Sequence, residues 1–69
     1  MQDKCEELLD QLAEIRKSKG LTQKELAKAC GISQSVIGKI ETHTRTPQID
    51  TFQKIIEKLG YTLEIVPQK

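Results

Sequence analysis

The sequence predicts an all-α fold, a compact domain of four short helices followed by one short strand. Three observations carry that expectation. Apolar residues recur at three- and four-residue spacing in four successive segments, glycines stand where three of those segments end, and the period drops to two after Gly60. A chain of 69 residues forms one domain and buries only about 60% of its unfolded surface, so a partner subunit would add to its stability. Phe52 and Tyr61 are the aromatic residues and there is no Trp. The core must therefore come from Leu, Ile, Val and Ala, which suits packed helices.

The first helix is expected over Cys5 to Ser18, where Leu8, Leu9, Leu12 and Ile15 alternate with charges, and Gly20 ends it. A second helix opens at Thr22, because Thr22-Gln23-Lys24-Glu25 has the capping-box pattern of a hydroxyl and a carboxylate satisfying each other's backbone amides. Leu26, Ala27 and Cys30 form its inner face, and Gly31 stops it. Ser33 stands where the cap of a third helix belongs. A joint of only Gly31 and Ile32 forces the two helices to cross steeply, as in helix-turn-helix units, here spanning about residues 22–42 of a single domain, 1–69. On the third helix, Ile37 and Ile40 point inward. Ser35, Gly38, Lys39 and Thr42 point outward, with Gln34 and Val36 on the flanks. Ile49, Phe52, Ile55, Ile56 and Leu59 define a fourth helix, which Gly60 stops. The segment Tyr61-Thr62-Leu63-Glu64-Ile65-Val66 then alternates as a strand does. No second strand candidate exists to pair with it, so Tyr61, Leu63 and Ile65 are expected to form a dimerisation strand, about 61–66, paired with its own copy across a two-fold axis. The first helix, through Cys5, Leu8 and Leu9, is the alternative dimer contact.

Composition excludes several functions. The net charge of +1 argues against a protein that coats nucleic acid without specificity. The charge is unevenly placed: residues 1–20 carry four basic and five acidic side chains, residues 21–48 four and two, and residues 49–69 three and three. The basic excess thus falls on the helix-turn-helix, as expected of a surface that meets phosphates. Cys5, Cys30 and His43 are too few and too scattered for a zinc site, and the cysteines are expected as free thiols. One His, no nucleophile beside a base and no metal cluster give no support to an enzyme, and no cofactor is expected. No segment reaches the roughly 20 apolar residues of a membrane span and the polar start is unlike a secretion signal, so a cytoplasmic location is expected.

Leu21-Thr22-Gln23-Lys24-Glu25-Leu26-Ala27, with Gly31-Ile32-Ser33-Gln34-Ser35-Val36-Ile37 and Ile40-Glu41, resembles the phage-repressor and Cro, or XRE-type, helix-turn-helix family over roughly residues 9–59. The resemblance implies a repressor-like fold in which the third helix enters the major groove of double-stranded DNA while the second lies across the backbone. It makes Gln34 a base reader, since a side-chain amide can both donate to and accept from adenine. It places Ser35, Gly38 and Lys39 on the same surface. Gln23 and Ser33, at the amino ends of their helices, and Thr44 and Arg45 in the following loop are implied as phosphate contacts. It also implies a structural ion pair between Arg16 and Glu41 that holds the reading helix to the first. This sequence departs from the family in two places. His43 replaces a loop glycine, where φ is expected to be positive, and Gly38 removes a side chain from the outward face, permitting close approach to DNA.

The ending from Leu59 to Val66 looks like the tail of HipB- and HigA-like antitoxins, some of which dimerise through a strand pair. The function expected is a sequence-specific transcriptional regulator, a repressor acting as a homodimer on a palindromic operator. The alternative is an antitoxin that binds a toxin protein and represses its own operon.

Overall fold

A computed structural model describes residues 3–68. Four helices follow in chain order: α1 over Lys4–Ser18, α2 over Gln23–Cys30, α3 over Gln34–Glu41 and α4 over Ile49–Lys58. Each begins and ends for a reason readable in its residues. Asp3 caps α1 by accepting from the Glu6 amide at 2.8 Å while Glu6 answers the Asp3 amide. This Asp-x-x-Glu box starts the helix one residue before the expected Cys5. Thr22 and Glu25 form the expected reciprocal box at α2, at 3.0 and 2.8 Å. Their bonds hold the Glu25 carboxyl below its ordinary pKa, the Thr22 backbone amide contributing most and its hydroxyl next.

Between α2 and α3 the chain turns at Gly31, whose φ of +71° lies in the left-handed region. The Gly31 amide bonds back to Lys28 O and the Ile32 amide to Ala27 O, satisfying carbonyls that α2 leaves open. Ser33 then caps α3 by accepting from the Val36 amide at 3.3 Å.

Leu9, Leu12, Leu26, Ala27, Cys30, Ile37, Ile40, Phe52, Ile55, Ile56 and Leu59 form one buried cluster drawn from all four helices. Full burial of each large aliphatic side chain contributes roughly 1.5–3 kcal/mol, which makes this cluster the dominant support of so small a fold. Cys30 lies within it, and burial pushes its thiol pKa up against the partial opposition of Lys58 and Lys54. Leu9 is buried as well. It therefore has no surface to offer a second subunit, which corrects its place among the α1 dimer candidates.

The ending departs from expectation. Residues 61–68 carry no helix or strand in the chain taken alone. A strand needs a neighbour to take up its amides and carbonyls, and no described segment offers one. Leu63 packs against the core of its own chain, whereas Tyr61, Ile65 and Val66 are exposed, Ile65 at 99%.

Candidate nucleic-acid interface

The outward side of α3 is built by its inward side. Ile37 and Ile40 are fully buried and leave Gln34, Ser35 and Lys39 exposed on the opposite face, with Gly38 between them and partly covered. Ser33, Gln34, Ser35, Gly38 and Lys39 thus share one polar surface. The amides of Gln34 and Ser35, in the first turn of α3, have no acceptor among the described residues. They give the helix its positive end, as N-terminal amides do. The Ser33 oxygen accepts from Val36, which leaves the hydroxyl proton free to donate outward.

The loop after α3 is wound tightly. Lys39 O accepts from both the Thr44 and the Arg45 amides, at 2.8 and 3.1 Å, and the Thr42 hydroxyl bonds Gly38 O and meets the Thr44 hydroxyl at 3.0 Å. These bonds hold Thr44 and Arg45 close to the carboxyl end of α3. The Arg45 side chain is exposed beside a shallow polar groove lined by Val36, Gln48 and Thr51. His43 adopts a φ of +65°. Its ring reaches back to α1, with Nε2 at 2.7 Å from Asp10 and Nδ1 at 3.5 Å from Glu6. It therefore braces the loop against α1 instead of joining the polar face, a role for which the sequence carried no signal beyond the displaced glycine.

Behind that face, Arg16 is buried and gives Glu41 two hydrogen bonds, from Nε at 2.6 Å and Nη2 at 3.0 Å. Its Nη1 donates to Leu21 O at 2.6 Å. One guanidinium thus ties together α1, the turn before α2 and the end of α3. Gln23 joins the same cluster: its Nε2 donates to Glu41 Oε1 at 3.0 Å. The structure consequently brings together the expected ion pair and one of the expected phosphate contacts, while Tyr61, Leu63 and Ile65 lie apart on the C-terminal segment.

Two short helices joined through a left-handed glycine, the second presenting a polar face locked from behind by an ion pair, define a helix-turn-helix domain. The helix-turn-helix family model matches residues 12–66, and the chain belongs to that family.

Its relatives include an uncharacterised HTH-type transcriptional regulator of Haemophilus influenzae, 38% identical over 60 residues, spanning 87% of this chain and 61% of that protein. Antitoxin HipB of Escherichia coli is 34% identical over 55 residues, spanning 80% of this chain and 62% of that one. Among solved structures, a toxin-antitoxin module from Streptococcus pneumoniae matches with a TM-score of 0.75 and 41% identity, covering 91% of this chain and 69% of that chain. A HipB-O1-O2 complex matches with a TM-score of 0.83 and 28% identity, covering 97% of each. The chain spans only 61–62% of the length of the two curated relatives named. Among the described residues, no helix is long and apolar enough to cross a membrane.

Proposed function

We propose that this protein is a transcriptional regulator that binds a specific double-stranded DNA sequence through α3. The observation that carries the reading is the polar surface of Ser33, Gln34, Ser35, Gly38 and Lys39, set on a short helix whose opposite side is fixed in the core. Gln34 and Ser35 read base edges, Lys39 adds charge at the groove wall, and Ser33, Thr44 and Arg45 hold phosphates. The backbone amides at the amino end of α2 take a further phosphate. Relatives described as HTH-type transcriptional regulators support the same reading.

The protein acts as a homodimer on a palindromic operator, with half-sites about one helical turn, roughly 34 Å, apart. Tyr61 and Ile65 supply the contact, and the backbone of residues 61–66, in which the Tyr61 amide is already bonded to Ile56 O at 2.9 Å, pairs with its copy as a strand. Their exposure supports this, since a segment with exposed Tyr61, Ile65 and Val66 leaves apolar surface that a second copy would cover. Leu63 anchors the segment to its own domain.

The deciding experiment is selection of bound duplexes from a random pool by the purified protein at near-physiological salt. A palindromic motif with half-sites one turn apart is the expected outcome, and absence of any enriched motif would refute sequence-specific binding.

A second reading, an antitoxin that binds a toxin and represses its own operon, is favoured by the likeness to a toxin-antitoxin module and to antitoxin HipB. It predicts a stoichiometric protein partner on purification from the native host. Recovery of the protein free of any partner would count against it.

A further inference from the structure

The position of the Gln23 amide is dictated by chemistry. Glu41 is ion-paired to Arg16 with only 6% of its side chain exposed, and an ionised carboxylate can only accept hydrogen bonds. The Gln23 amide must therefore turn its nitrogen to Glu41, and it does, at 3.0 Å from the Oε1 that also receives Arg16 Nη2. Its carbonyl oxygen is left pointing the other way. That oxygen accepts no hydrogen bond among the described residues, and it stands 3.5 Å from the place a Cβ on residue 38 would occupy. Apart from the adjoining residues and backbone of α3 itself, nothing else lies within 4 Å of that place. The outward face of α3 thus has a notch at Gly38, one turn beyond Gln34, whose near polar wall is an acceptor held in a fixed orientation.

The oxygen has nothing to offer a phosphate, which carries no donor, so a phosphate contact by Gln23 would fall to the second N–H of its Nε2. In the major groove the oxygen has two partners, the exocyclic amino groups of cytosine and adenine, while the O6 and N7 of guanine and the O4 of thymine are acceptors that would repel it. On the reading above, in which α3 enters the major groove, we propose that Gln23 is a specificity residue: its Oε1, locked by Glu41 and exposed across the Gly38 notch, accepts a hydrogen bond from a base amino group. Glu41 is then a positioning residue for base reading as well as half of an ion pair. Gly38 serves the same subsite. The fold itself has no need of glycine there, because an added methyl would meet only an ordinary van der Waals contact, yet glycine inside a helix is unfavourable relative to alanine.

Duplex selection with the native protein, Gln23→Ala and Gly38→Ala tests this, with circular dichroism to verify that each variant folds. Expected is one position in each half-site at which the native protein demands an amino-bearing base. Gln23→Ala should relax that preference by about ten-fold while leaving the other positions intact. Gly38→Ala, which fills the notch and removes no contact, should relax the same position, so it decides the matter should Gln23→Ala not fold. Uniform weakening of all duplexes by Gln23→Ala, with the salt slope reduced by about one, would identify a phosphate contact and overturn the proposal. So would an unchanged motif in both variants. Failure of the native protein to enrich any motif would overturn sequence-specific binding itself, and this subsite with it.

Discussion

Arg16 and Glu41, 25 residues apart in sequence, meet through two hydrogen bonds of 2.6 and 3.0 Å with both side chains more than nine-tenths buried. The pair fixes the carboxyl end of α3 to α1, and through Leu21 O it also fixes the turn that leads into α2. The polar face of α3 is consequently carried on a frame with little freedom to rotate.

Opening that pair from one side leaves the other charge buried without its partner. Arg16→Met and Glu41→Leu should each destabilise the fold by about 3 kcal/mol, because desolvating a lone charge is costly. The double variant should lose less than the sum, since no charge is then stranded. Urea unfolding of the four proteins checks this; fully additive losses would show that the two side chains act independently.

Gln34 and Arg45 should fail differently. Gln34→Ala is expected to cost about 1–3 kcal/mol on the preferred duplex and to relax preference at one base position. Arg45→Ala should weaken every duplex alike and lower the salt slope by about one. Binding isotherms on preferred and scrambled DNA at several salt concentrations separate the two, and equal losses on both duplexes for Gln34→Ala would remove its base-reading role.

Glu25 predicts an acid sensitivity at the start of α2. Its folded pKa is depressed below the ordinary 4.5 by the Thr22 amide and hydroxyl. The capping box therefore contributes its full stability above the unfolded carboxylate value and loses it as pH falls through the depressed folded value. An NMR titration should show the Thr22 and Glu25 amides shifting together below pH 4.5. A Glu25 midpoint at or above 4.5 would contradict the capping role.

Ile65, at 99% exposure, touches little in its own chain. Ile65→Asp should alter folding stability by no more than about 0.5 kcal/mol while shifting a dimer toward monomers in sedimentation. An unchanged dimer would move the contact elsewhere, to the surface around Cys5 and Leu8.

Much of this architecture was legible before any coordinates. Thr22 with Glu25, Gly31 and Ser33 mark boundaries because capping and left-handed turns are decided by residues a few positions apart. The inward Ile37 and Ile40 follow from the 100° step of a helix, which also assigns Ser35 and Lys39 to the outer side and Gln34 to its flank. The Arg16–Glu41 pairing was implied by family resemblance, since nothing local links residues 25 apart.

What tertiary structure alone decided lies where a side chain had a choice of partner. Gln23, implied by the resemblance as a phosphate contact, also gives an Nε2 hydrogen to Glu41 Oε1 at 3.0 Å, an orientation that only packing supplies. His43 could have faced DNA or the fold, and the carboxylates of Asp10 and Glu6 on α1 drew it inward. The alternation of Tyr61 to Val66 specified an extended segment but no partner for it, so only Leu63 found cover in the chain itself. The sequence by itself determined the helices, their caps and the apolar core, because these depend on contacts within a few residues or on burial that any partner satisfies. The orientation of Gln23, His43 and the C-terminal segment depended on which distant group stood closest once the helices had packed.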